Sequence, residues 1–326
     1  MMERVRASLE LWSRPQLRQA ITDVRARATK LGRNPAKTVS RLTSASFVSR
    51  AHRYVYVETP KVACTGFKSM IVDLEGVRPD PSLRPYMREV RLDMLIHQRD
   101  YIALPSILDL TANERASIFD GDPAWFVFAV VRNPFSRLVS MFENKVRVFE
   151  PDFRFSAGQF KEGNQVDRVT LFRHFLHQVS INNNGIAENP HVAPQSGLLL
   201  TDLINYTKVF HIEALHEAMT ALNAHIASCG HKGLVALPRR NAALRTEWRA
   251  YYDAESAAIV QRLYADDFRL FGYDPSDWHA DNNGTVREET DAEQYWREQV
   301  IARNEMIDYL YDLLDARLGK TRHRRL

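Results

Sequence analysis

Apolar and polar positions along this chain switch between two periods, and the switching outlines strands and helices before any composition is counted. Tyr54–Val57 is a short apolar run leading into Thr59-Pro60, and Ala124–Val131 is eight apolar residues in a row, the pattern of a strand buried on both faces. After each run the period becomes helical: Phe67, Met70, Ile71 and Leu74 mark one face over 66–74, and Phe135, Leu138, Val139 and Phe142 mark another. Asn133 reads as the N-cap of that second helix and Pro134 as its first residue. Thr207–Glu213 reads as a third strand feeding a helix over 215–226. Further helices are predicted over 3–32 (interrupted at Pro15 and ended by Gly32), 86–97, 111–119 with a Thr111/Glu114 capping box, 169–178, 254–271 and 291–318. Gly32–Ser49, rich in Ser and Thr, reads as a linker; Arg78–Pro85 and Asn182–Gln195 read as loops, and 150–168 as an irregular insertion. Strand, polar loop and helix thus follow one another twice, placing both loops at the carboxyl edge of a sheet, where open α/β sheets bind ligands.

Composition narrows the class. At 45% apolar and 26% charged residues, the 326-residue chain reads as globular. Its longest strictly apolar run is far short of the ~20 residues of a membrane helix, and its first residues lack a signal-peptide core. The net charge of +4 is uneven: residues 1–50 carry +8, the last seven +4, and the rest −8. That distribution argues against nucleic acid as a partner and leaves peripheral contact with an anionic membrane open for the basic arm. Two cysteines, Cys64 and Cys229, read as free thiols of a reducing compartment, and no Cys/His cluster has zinc spacing. The helix over 291–318, with Trp296, Val300, Ile307, Leu310, Leu314 and Leu318 on one face, either docks on the body or pairs in a homodimer.

Two loops carry candidate chemistry. "YVETPKVACTGFKSMI" (Tyr56–Ile71) lacks the G-x-x-x-x-G-K-[ST] spacing of a nucleotide triphosphatase. It still places Lys61, a point charge, before a helix N-terminus whose amides and dipole favour an anion. Thr65 adds a hydroxyl, Lys68 lies off the core stripe where it can flank the site, and Cys64 takes a packing role. An ordinary strand-to-helix turn stays open on spacing alone. "VVRNPFSRLVSMF" (Val130–Phe142) puts Arg132 at the strand end and Ser140 on the following helix, opposite the core stripe, with Ser136 on its flank. An arginine with a helical hydroxyl behind it suits a phosphate dianion, and a salt-bridged arginine with a solvated serine fits the spacing equally.

"TPKVACTGFKSMI" resembles the 5′-phosphosulfate loop of the carbohydrate sulfotransferases, and "VVRNPFSRLVSMF" is similar to their 3′-phosphate motif, R-[DN]-P-[FY]-x-R-L-x-S, in the same order. The group with chondroitin 4-O-sulfotransferases and the natural-killer-epitope glucuronyl sulfotransferase looks nearest. "NPHVAPQ", "YTKVFHIEAL" and "YADDFRLFGYD" are weaker matches that extend the resemblance over roughly residues 52–274. Pattern and resemblance together imply an α/β, P-loop-like three-layer fold with a central, mainly parallel sheet flanked by helices. The division expected is a basic helical arm and linker (1–50), a sulfotransferase domain (51–280) and a C-terminal amphipathic helix with basic tail (281–326).

The resemblance implies transfer of a sulfuryl group from 3′-phosphoadenosine 5′-phosphosulfate (PAPS) to a hydroxyl of a carbohydrate, glycolipid or small acceptor, with 3′,5′-ADP as product and no metal. On it, Lys61, Val62, Ala63, Cys64, Thr65, Gly66, Phe67 and Lys68 form the 5′ loop, with Lys61 neutralising the leaving oxygen, and Arg132 and Ser140 hold the 3′-phosphate. His191 is the first choice of general base and His97 the second; Glu213 orients, and Arg239, Arg240 and Asn241 lie on solvated surface. Gly66 and Phe67 depart from the residues many relatives carry. The Golgi relatives' membrane anchor and disulfides have no counterpart here, so a bacterial, cytoplasmic enzyme at the inner face of the membrane is expected. Two other readings remain: a P-loop kinase, whose Ser/Thr after the loop lysine Lys68-Ser69 mimics, and a non-catalytic glycan- or lipid-binding relative of the fold.

Overall fold

The structure, a computed structural model, describes residues 15–77, 96, 104–153, 167–231, 233, 235–237, 247–279 and 286–317. The start of the basic arm, nearly all of the helix expected over 86–97, His97, most of the 150–168 insertion, Arg239, Arg240, Asn241 and the basic tail lie outside the described residues. In chain order the elements are α1 (Pro15–Lys30), α2 (Pro35–Ala45), β1 (Ser46–Ser49), β2 (Tyr54–Val57), α3 (Cys64–Leu74), α4 (Ala112–Asp120), β3 (Phe126–Val131), α5 (Pro134–Met141), α6 (Arg168–Ser180), α7 (Gln195–Leu199), β4 (Lys208–His211), α8 (Leu215–Ser228), α9 (Ala254–Leu263), α10 (Ala265–Phe271) and α11 (Asp291–Arg317). They fall into two compact units, one formed by the chain up to Val131 with 195–241, the other by 132–194 with the remainder.

The first unit holds the sheet, ordered β1-β2-β3-β4. β1 runs antiparallel to β2, with Phe47 opposite Tyr56. β2, β3 and β4 run parallel, with Val57 opposite Ala129 and Val131 opposite His211, so their carboxyl ends emerge along one edge. Tyr54, Tyr56, Phe128, Val130 and Phe210 form one face of the sheet, buried against Phe67, Met70 and Ile71 of α3 and Leu222 and Ile226 of α8. Val55, Val57, Val127, Ala129 and Val131 point the other way and are equally buried. Continuous apolar runs follow from that double burial.

Gly32–Ser49 is not a linker. Asn34 caps α2 by accepting the Lys37 amide at 3.0 Å, Pro35 opens the helix, and Val39, Leu42 and Ala45 are buried before the chain enters β1. The hydroxyls that gave the stretch its loop-like composition are satisfied within it: Thr38 and Thr43 donate to carbonyls four residues back, and Ser46 to that of Leu42. The basic arm, from Pro15 onward, is likewise packed, with Ala20, Val24 and Ala28 fully buried and Asp23 paired to Arg115 of α4 at 3.0 Å.

The second unit is helical. Phe135, Leu138 and Phe142 meet Phe172 and Phe175 of α6, Tyr251, Tyr252 and Phe268 in an aromatic core. α5 widens into a π turn over Phe142–Val146. The helix expected over 254–271 is two, broken at Tyr264, whose hydroxyl is drawn to the Val192 carbonyl at 2.6 Å. α11 does not bury its expected face: Trp296 is 66%, Leu310 54% and Leu314 50% exposed. Polar side chains fasten it instead, through Asn304 to the Val148 carbonyl at 2.8 Å and through Glu289, which accepts from Arg147 and Arg297.

Candidate functional site

The stretch after β2 is braced from below. Thr59, fully buried, donates to the Val130 carbonyl at 3.0 Å and so ties the loop to β3. Arg41 of α2 reaches the Glu58 carbonyl with one nitrogen and the Leu198 carbonyl, at 2.8 Å, with another. Above this brace the backbone is strained: Lys61 has φ 71° and Ala63 φ 61°, both left-handed and neither a glycine. Each costs about 1 kcal/mol or more and persists only where the surroundings over-determine it. Ala63 is also the N-cap of α3 and has no side chain with which to cap it. Left-handed residues beside a helix start turn backbone N–H groups toward one concavity, the geometry of an anion nest. Arg41, Lys61 and Lys68 against Glu58 leave the surroundings cationic.

Lys61 and Thr65 stand at the mouth of this loop, each half-buried. The side chains of three further residues of the expected loop are turned inward. Val62 is fully buried. Phe67 is in the core, stacked on Tyr56 at 5.2 Å, and its amide closes the first helical bond to Ala63. Lys68 does not lie off the core but is 2% exposed, its ammonium 2.7 Å from Glu58 and over the Phe47 ring. That partner is carried by the strand end beside it, which period alone does not reveal. The same burial removes the Lys68-Ser69 mimic of a kinase loop, since Ser69 is 5% exposed. Burial pushes the Cys64 thiol up, with Glu58 adding to the effect, so a protonated packing group is the form present.

Arg132 follows the last residue of β3, and its Nε donates to Ser136 Oγ at 2.9 Å. The hydroxyl that Arg132 meets is therefore one turn earlier than Ser140, which sits half-buried near the end of α5. Asn133 caps α5 through the Phe135 amide and reaches Asp277, which also holds Arg249. Arg137, in the same motif, is turned inward: 1% exposed, it donates to the carbonyls of Pro190 and Ala193, each at 2.9 Å.

Those carbonyls flank His191. Asn189, 5% exposed, opens the turn: its Oδ1 accepts the His191 amide at 3.0 Å and lies 3.2 Å from His191 Nδ1, while its carbonyl accepts from Val192 and Ala193. The Phe153 ring stands edge-on to the imidazole at 6.1 Å. Glu213 is exposed just beyond β4. Spacing and periodicity do not reveal the contacts of Arg41, Ser136, Arg137 and Asn189. An Asn-Pro pair does announce a turn, so Asn189 had a signal; an inward arginine had none.

A profile of the sulfotransferase family matches residues 44–274. Carbohydrate sulfotransferase 10 of Pongo abelii is 25% identical over 253 residues, 71% of this chain and 67% of the relative. The Mus musculus protein of the same name is 26% identical over 254 residues, covering 71% and 67%. Carbohydrate sulfotransferase 14 of Danio rerio is 22% identical over 242 residues, covering 69% and 61%. The chain thus spans about two thirds of the length of these curated relatives. No solved structure matches it significantly.

Proposed function

The chain belongs to the sulfotransferase family, and from that premise we propose that it transfers a sulfuryl group from PAPS to a hydroxyl of a carbohydrate or glycoconjugate. The observation that carries the reading is the loop from Thr59 to Thr65, with two left-handed non-glycine residues, an uncapped helix start and a cationic surround. Those residues fit a 5′-phosphosulfate: an anion nest rewards the strain, and the donor supplies an activated sulfuryl group with a good leaving oxygen. Lys61 would neutralise charge growing on that oxygen, assisted by the amides of the loop and by Thr65. Arg132, held by Ser136 at 2.9 Å, and Ser140 would take the 3′-phosphate and so select PAPS over ATP. His191 would accept the proton of the acceptor hydroxyl.

The acceptor class is suggested by the names of the relatives, which are carbohydrate sulfotransferases. Work in a reducing compartment is supported by two thiols that are both free, Cys64 and Cys229. Among the described residues no helix is long and apolar enough to cross a membrane. The test is binding followed by transfer. Thermal stabilisation by 3′,5′-ADP without magnesium, and 35S passed from PAPS into glycan of a host extract, are expected. Stabilisation by ATP with Mg²⁺ alone would overturn the reading in favour of a kinase.

A further inference from the structure

We propose that Asn189 is a positioning residue that holds His191 in the Nδ1–H tautomer, so that Nε2 carries the lone pair, and that Arg137 fixes the turn on which this depends. The inference rests on the reading of His191 as the base for the acceptor hydroxyl. The tautomer follows from which atom of Asn189 faces the ring. The His191 amide donates to Asn189 Oδ1 at 3.0 Å, which sets the carboxamide oxygen, and not its NH2, toward the turn. The same oxygen lies 3.2 Å from Nδ1. An amide oxygen only accepts, so Nδ1 carries the hydrogen. A neutral imidazole then has its basic lone pair on Nε2, the far nitrogen. Asn189 is 5% exposed, so water does not compete well for that bond.

The turn has little freedom to undo this. Arg137 grips the carbonyls on either side of His191 at 2.9 Å each, and Tyr264 donates to the Val192 carbonyl at 2.6 Å. A planar guanidinium bridging two carbonyls locks both translation and twist of the segment between them. Arg137 and Asp267 both act electrostatically on Tyr264 beside the turn.

Long-range 1H–15N imidazole spectra of the full chain, with His191 assigned by the signals lost in His191→Gln, read the tautomer with neither donor nor acceptor present. Nδ1–H is expected above the imidazole titration; a His191 protonated on Nε2 overturns the proposal. Asn189→Asp keeps an oxygen for the turn's amide and sets a carboxylate against Nδ1. It should raise the His191 titration by about one pH unit or more, and an unmoved titration overturns the proposal by showing that the side chain at 189 does not face Nδ1. Asn189→Ala should cost at least about tenfold in turnover with PAPS, a misdirected base tautomer being costly, at unchanged affinity for 3′,5′-ADP. Failure of the native chain to bind 3′,5′-ADP would sink the sulfotransferase reading and leave the tautomer result standing.

Discussion

Two replacements of Lys61 should both be inactive and yet differ in stability, the glycine variant being the more stable of the two. The φ of 71° at Lys61 is a conformation that costs a side-chain-bearing residue about 1–2 kcal/mol and a glycine nothing. Lys61→Ala removes the ammonium and keeps the strain; Lys61→Gly removes both. Any contact of the lysine side chain is lost equally in the two, so their difference isolates the backbone. Against the relief stands the greater freedom of glycine in the unfolded chain, about 0.4–1 kcal/mol. The glycine variant should therefore be the more stable by about 0.5–1 kcal/mol, read as a thermal midpoint roughly 1–3 °C higher. Both variants should lose about 10²–10³-fold in turnover, the scale of removing one stabiliser of developing negative charge. Differential scanning calorimetry of the pair and a PAPS turnover assay decide it. Coincident midpoints, or an alanine variant more stable than the glycine variant, would refute the strain on which the anion nest is argued. Full turnover in Lys61→Ala would refute the leaving-group role.

Other consequences are open to measurement. Lys68→Ala leaves Glu58 without its 2.7 Å partner in a mostly buried setting and should cost about 3 kcal/mol or more in urea unfolding, whereas a ligand-facing lysine would cost almost nothing. Arg132→Ala should weaken 3′,5′-ADP binding by about 2 kcal/mol or more in titration calorimetry, and an unchanged affinity would remove it from the 3′-phosphate. Cys64, whose thiol burial pushes up, should be alkylated by iodoacetamide more slowly at neutral pH than exposed Cys229, with peptide mapping as the readout and equal rates as the adverse result. Burial would raise the Glu289 carboxyl, but Arg147 and Arg297 outweigh it and hold it below the usual carboxylate value. A depressed carboxylate stabilises fully above its unfolded pKa and loses that contribution as pH falls through its folded one. The stability gap between the native chain and Glu289→Gln should accordingly be present at neutral pH and close in acid, and a gap independent of pH would count against the pairing.

Period and punctuation made β2, β3, α3 and α5 legible, because apolar runs bounded by turn residues leave few alternatives. They failed where polar residues were satisfied locally. In α2, Thr38 and Thr43 bond to carbonyls of their own helix, so their number suggested a loop that the apolar spacing of Val39, Leu42 and Ala45 contradicts. Lys68 and Arg137 look like surface charges until their partners are known, and those partners, the Glu58 carboxylate and two carbonyls of the 189–194 turn, are set by tertiary packing. The loop around Lys61 was recognisable by motif, yet its left-handed backbone was not, since neither Lys61 nor Ala63 is a residue type that announces it. The exposure of α11 is the converse failure: an apolar face predicts burial but does not name what covers it.

The grip on the His191 turn has a consequence for how such an enzyme diversifies. Arg137 and Tyr264 hold Pro190, Val192 and Ala193 by their carbonyl oxygens, which every amino acid possesses. Apart from Asn189, the path of the turn is thereby written in α5 and at the α9–α10 junction, and not in the side chains of the turn itself. Pro190 is exposed and Ala193 half-exposed, so both can be exchanged while the imidazole stays where it is. A segment anchored in this manner separates heredity of geometry from heredity of surface chemistry. Libraries randomised at 190 and 193 on an intact Arg137, Asn189 and Tyr264 frame are the natural place to seek altered acceptor preference.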